Sequence, residues 1–175
     1  RPGEFNHVMA VYLDDCACGT RVEENFFMNA GWAVMIGGGR DNEVRGNVFV
    51  ACEPAISVDA RARGWAKDYY RAGGGWEMEK KLAAVPWTSA VWRARYPALT
   101  GYRLETCADP TGNRIMDNVC AGGRWLQLND GLTERDMEVR GNLVESGPGT
   151  HRVQWPAIPL DRIGLERDAL RAALP

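Results

Sequence analysis

No apolar run in the 175 residues approaches the roughly 20 needed for a bilayer-spanning helix. The charged, apolar and small-residue regions of a signal peptide are missing from the start as well. Basic charge is neither in excess nor clustered: the formal net charge is −2, and Arg40, Arg45, Arg61, Arg63 and Arg71 are scattered among acidic and apolar neighbours. That pattern argues against a nucleic-acid groove or an anionic membrane as partner. The two histidines, His7 and His151, stand apart from each other and from Cys or Ser partners, so no catalytic triad is supported. The five cysteines (Cys16, Cys18, Cys52, Cys107, Cys120) are odd in number and lack a Cys-x-x-Cys pair. They read as buried or half-buried thiols, not as a disulfide framework or a zinc site. Glycines 37–39 and 73–75 precede no Gly-Lys-Ser/Thr at phosphate-loop spacing and read as turns. No metal and no cofactor is expected.

What the chain does have is an internal repeat. Four segments centre on an asparagine with an apolar residue three positions before it and another just after it: Val22–Phe27, Val44–Phe49, Ile115–Cys120 and Val139–Val144. Asn25 and Asn47 are 22 residues apart, and Asn118 and Asn142 are 24 apart. A second signature recurs as Ala10–Asp14, Ala33–Gly37, Ala55–Asp59 and Trp125–Asn129. In each copy the second and fourth positions are β-branched or leucine and point inward, while Tyr12, Met35, Ser57 or Gln127 between them points outward. One such turn cannot bury its own apolar face, but stacked turns can. The expected fold is all-β: a parallel β-helix in one domain, 1–175. The repeated asparagine would tolerate left-handed backbone at a tight turn and form a hydrogen-bonded ladder between coils.

The template disappears between Arg63 and Asp109. There Trp76–Ala84, stopped by Pro86, and Thr88–Arg95, before Pro97, suggest short helices in a loop inserted over 64–108. Beyond Asn142 the pattern fades into Gly147-Pro148-Gly149, and a helical segment from Glu166 to Leu174 is expected within a cap over 156–175. The chain opens on Arg1 and enters the repeat almost at once, which suggests a piece of a longer protein.

Several segments, Val11–Asp15, Gly37–Asn42, Val58–Arg61, Arg95–Leu99 and Ile158–Leu165, together resemble a bacterial family of right-handed parallel β-helix proteins of the pectate-lyase-like superfamily. The likeness is greatest to β-helix glycoside hydrolases of fucosidase and xylanase type. It implies a right-handed coil, a complex polysaccharide or oligosaccharide as substrate, and an extracellular or periplasmic place for the full-length protein.

On such a scaffold the substrate lies along the outer face, near strand ends and their loops. The strand alignment puts Asp14 and Asp59 in one column with Gly37 between them, roughly 9.6 Å apart by twice the strand spacing. That separation suits inverting hydrolysis, with one carboxyl as a general acid of raised pKa and the other activating water. Gly37 would leave room for a sugar. Asp15 and Asp41 are the substitutes if the register slips. Arg40 and Arg61 would bind hydroxyls or a uronate, and Trp65 and Tyr12 would contact the sugar. Asp after a strand is also a common turn former, and tryptophans of the insertion also serve to pack it. A polysaccharide lyase using Arg61, Arg63 or Lys67, and a non-catalytic carbohydrate-binding or structural β-helix, are the alternatives.

Overall fold

The computed structural model describes residues 8–103, 106 and 109–145. Its strands are β1 (Met9–Leu13), β2 (Arg21–Glu23), β3 (Phe26–Met28), β4 (Trp32–Gly37), β5 (Glu43–Arg45), β6 (Val48–Cys52), β7 (Ile56–Asp59), β8 (Arg114–Met116), β9 (Val119–Gly123), β10 (Leu126–Leu128), β11 (Glu138–Arg140) and β12 (Leu143–Glu145). They form three four-stranded parallel sheets, ordered β1-β4-β7-β10, β2-β5-β8-β11 and β3-β6-β9-β12. The chain therefore visits each sheet once per coil and stacks four coils as a solenoid. The two strand signatures of the sequence are the first sheet and the corner between the second and third.

Inward positions stack in columns. Leu13, Ile36 and Val58 align in the first sheet, and Val22, Val44 and Ile115 in the second. Phe27, Phe49 and Cys120 align in the third. All belong to one buried cluster. The rings of Phe27 and Phe49 lie 5.1 Å apart and nearly parallel, and Trp125 meets Phe49 edge-on. Met35 and Ser57 lie outside that cluster, as alternation requires, yet they are 4% and 0% exposed. Ser57 Oγ accepts a hydrogen bond from Asn129 in the next coil.

The asparagine ladder is continuous. Nδ2 of Asn25, Asn47 and Asn118 donates to Oδ1 of Asn47, Asn118 and Asn142 at 3.1, 3.0 and 2.9 Å. The backbone amides of Asn25, Asn47 and Asn118 donate to the same oxygens. The expected left-handed backbone falls one residue earlier: Glu24, Gly46, Asp117 and Gly141 carry the positive φ. This frees the asparagine side chain to turn inward and bridge coils.

A second ladder runs at the corner between the first and second sheets. There Asn42 Oδ1 accepts from the Thr20 amide, and Asn113 Oδ1 from the Asn42 amide. Again a left-handed residue, Gly19, Asp41 or Gly112, precedes each rung.

The break in the template falls at this same corner, between β7 and β8. It contains α1 (Lys67–Tyr70), α2 (Met78–Ala83), α3 (Ala90–Arg95) and a 3-10 turn at Pro97–Gly101. The two expected helices are shorter than their sequence limits, and α1 is additional. Ser89 caps α3 by accepting from the Trp92 amide. Tyr70 and Ala66 are buried, with Trp76, Met78 and Tyr102 packed against them. The expected cap at 156–175, His7, His151 and Cys107 lie outside the described residues. The other four cysteines form no disulfide: Cys52 and Cys120 are buried, Cys16 is half-buried and Cys18 exposed.

Candidate functional site

Four loops leave the first sheet at one corner, and that corner collects the candidate residues. The register pairs Gly37 with Asp59. Asp14 follows Leu13, the partner of Ile36, so it falls beside Gly37 in the coil before. Asp14 and Asp59 thus flank Gly37, as the alignment requires.

What lies between them is not an open slot. The guanidinium of Arg61 occupies it, only 2% exposed. Nη1 donates to Asp14 at 2.6 Å and to Asp15 at 2.8 Å. Nε and Nη2 donate to the two oxygens of Asp59, each at 3.2 Å. Nη2 also reaches the Tyr12 hydroxyl at 3.4 Å. A guanidinium has five N–H donors, and these five acceptors match them. A Cβ on Gly37 would lie 2.0 Å from Nη2. A Cβ there would have to displace the tip of Arg61, so the space over Gly37, expected to be open for a sugar, is filled by the guanidinium.

The electrostatics follow from this arrangement. Burial works against the charge on Arg61, but hydrogen bonds with Asp59, Asp14 and Tyr12 outweigh it and raise its pKa further. Burial likewise pushes Asp14 up, but hydrogen bonds from Tyr12, Arg61 and the Asp15 amide outweigh that and hold its carboxyl below the ordinary range. Burial and the neighbouring Asp14 carboxylate raise the Tyr12 hydroxyl. Asp14 accordingly lacks the raised pKa expected of a general acid, and both Asp59 oxygens are committed to Arg61. The donors of Arg61 are taken up by Asp14, Asp15, Asp59 and Tyr12, so in this arrangement it organises the corner.

Around this centre lies an aromatic surface. Trp65 is 63% exposed, and Tyr12 and Tyr69 are each 44% exposed. The Tyr12 and Trp65 ring centroids are 5.9 and 5.7 Å from the Arg61 guanidinium carbon, within cation–π range. Trp65 is propped by Tyr69 and Trp76, with centroids 6.3 and 6.0 Å away. The side chains of Asp14 and Asp15 are 52% and 54% exposed at its rim.

Arg40 and Asp41 are not members of this cluster. They pair with each other at 2.9 Å, and the Arg40 guanidinium sits 5.7 Å from the Tyr102 ring centroid, where Trp87 packs edge-on. Asp41 is a left-handed turn residue whose carboxylate stands over Gly112 of the next coil. Among the described residues no group of His, Cys, Asp and Glu is arranged to hold a metal, and no helix is long and apolar enough to cross a membrane.

Sequence reasoning missed Tyr69, the support of Trp65, and the second ladder of Asn42 and Asn113. A signal for that ladder exists: Thr20, Asn42 and Asn113 each precede an asparagine of the first ladder by five residues. Compared with known proteins, the chain matches no family model, no curated protein and no solved structure.

Proposed function

We propose that this chain is a carbohydrate-active, right-handed parallel β-helix protein that holds a complex polysaccharide across the corner between its first and second sheets. The right-handed sense follows from the strong preference of parallel crossover connections for that hand. The observation that carries the function is the exposed Trp65–Tyr69–Tyr12 surface beside half-exposed carboxylates. Flat rings stack on the apolar faces of sugars, while Asp14 and Asp15 accept hydrogen bonds from hydroxyls. Three carboxylates around one arginine leave the rim negative, which favours neutral or amino sugars over uronates. That weakens the lyase alternative, as does the pairing of Arg63 with Asp109.

Glycoside hydrolysis is the second reading, favoured by the ionised, half-exposed Asp14. In it Asp14 takes a proton from the attacking water, Asp15 is the acid that gives one to the departing glycosidic oxygen, and Asp59 positions Arg61. A polysaccharide of this kind is met outside the cell or in the periplasm, and we assign the protein to that location.

Calorimetric titration with oligosaccharides of neutral, amino and uronic sugars tests binding, with reducing-end release measured on the same samples. Trp65→Ala should weaken binding at least ~10-fold, from the loss of stacking worth a few kcal/mol. Asp14→Asn should abolish any release of reducing ends while sparing most binding. Failure of every class of sugar to bind would overturn the proposal.

A further inference from the structure

The aromatic surface at the corner borders an excess of negative charge. Asp14, Asp15 and Asp59 all bind Arg61, so three formal negative charges face one positive charge. Arg61 is also the cation that acts on Tyr12 and Asp14. Its own charge lies inside, on a side chain only 2% exposed, whereas the side chains of Asp14 and Asp15 are more than half exposed. Against the upward push of burial, hydrogen bonds from Tyr12, Arg61 and the Asp15 amide hold Asp14 below the ordinary carboxylate range. It is therefore ionised wherever a sugar amine is protonated. Arg61 takes Oδ1 of Asp15, which leaves Oδ2 to accept from a ligand. The exposed rings are close by: the guanidinium that bonds both aspartates lies 5.7 Å from the Trp65 ring centroid and 5.9 Å from that of Tyr12.

We infer, resting on the reading of this corner as a sugar site, that the sugar it selects carries a free, protonated amine. A pyranose stacked by its flat face on Trp65 directs its equatorial substituents sideways, toward the neighbouring carboxylates. An ammonium there has three N–H donors to offer to Asp15 Oδ2 and to Asp14, beside indole and phenol faces that attract cations. A neutral sugar stacks on the same ring but leaves the excess negative charge facing only water. N-acetylation removes the positive charge, and a uronate adds repulsion. Arg61 is the internal precedent: the same two aspartates and the same two rings already surround one cation. Because the carboxylates are half in solvent, the attraction is modest and screened by salt.

Glucosamine oligomers, and the same oligomers N-acetylated, titrated calorimetrically into the full chain at low and high salt provide the test. At low salt the free-amine oligomer should bind about 10-fold tighter, the sum of one cation–π contact and one or two half-exposed ion pairs. Added salt should narrow that ratio and leave the affinity for the N-acetylated oligomer nearly unchanged. Asp15→Asn tests the carboxylate: Asp15 has a φ of 39°, which asparagine tolerates, and circular dichroism checks that the variant remains folded. It should bring the ratio of the two affinities below ~3-fold, the loss of one half-exposed pair and its charge. Trp65→Ala should instead weaken both oligomers. Equal affinities, or tighter binding of the N-acetylated oligomer, would overturn the inference and leave the sugar site standing. A free-amine preference that neither salt nor Asp15→Asn reduces would overturn it too. If no sugar of any class binds, the site falls and the inference with it.

Discussion

The coils and the insertion are built on different physical terms. In the coils nearly every stabilising contact joins residues about one coil or more apart in sequence, and the same contact recurs from coil to coil. In the insertion the helices have four, six and six residues, far below the length at which a helix is stable alone. Helices α2 and α3 bury no residue. What holds this region is a small aromatic cluster, with Trp76 meeting Tyr70 edge-on at 4.7 Å and Tyr69 at 5.2 Å. A repeat gains its stability from stacking neighbours, whereas an insertion must dock on a surface that repetition has already made. Stability should therefore be unequal between them, with the insertion opening before the coils.

The largest effect is expected at the centre of the ladder. Asn47 is 0% exposed. Its amide side chain donates to Val22 O and Asn118 Oδ1 and accepts from the backbone and side chain of Asn25. Asn47→Ala leaves these buried groups unsatisfied, at about 1–3 kcal/mol each. Urea unfolding should show a loss of about 4 kcal/mol, while the same change at exposed Asn25 costs much less. Equal losses at the two sites would mean that rungs do not depend on their neighbours.

Arg61 joins the two regions, since it stands between β7 and the insertion and is held by aspartates of the first and third coils. Arg61→Ala strands Asp59, whose side chain is 10% exposed. A loss of about 3 kcal/mol is expected for breaking a buried pair from one side. Gly37→Ala should reproduce much of it by displacing the guanidinium, and Lys should not replace Arg61, because it lacks the planar fork. The cluster also imposes a pH dependence. The Asp14 pKa is lower in the folded state than in the unfolded chain, so its stabilisation is fully present above the ordinary carboxylate range. That contribution is lost as pH falls through the lowered value. Acid titration of Asp14→Asn should show a shallower acid limb than the parent. An unchanged limb would separate Asp14 from the cluster's energetics.

The same contrast explains what the sequence made legible. Asn25, Asn47, Asn118 and Asn142 announce the stack because each coil imposes the same requirement on the next, and the requirement appears as a period. That period also puts Asp14 and Asp59 in register. Arg61 stands out in the sequence but its role does not, because no periodicity says which way a long side chain turns after β7. Filling of the space over Gly37 is a three-dimensional fact about one arginine, and a glycine there is equally consistent with an empty slot. Trp65 and Trp76 are similar residues in sequence. Only their packing makes one the exposed face and the other its support.

The smallest global effect is expected from that support. Trp76→Ala removes the ring that holds Trp65, Tyr69 and Tyr70 together, yet it touches no part of the ladder. Large-to-small changes in a well-filled core cost about 3–5 kcal/mol, but that cost falls only on the unit that contains the residue. If the insertion opens as a separate unit, global urea stability of Trp76→Ala should fall by less than ~1 kcal/mol. Amide exchange and proteolytic cutting within 64–103 should meanwhile rise about 10-fold or more, as expected for local opening made easier by at least ~1.4 kcal/mol. A global loss as large as that of Asn47→Ala would mean instead that the coils and the insertion unfold as one, with Arg61 coupling them.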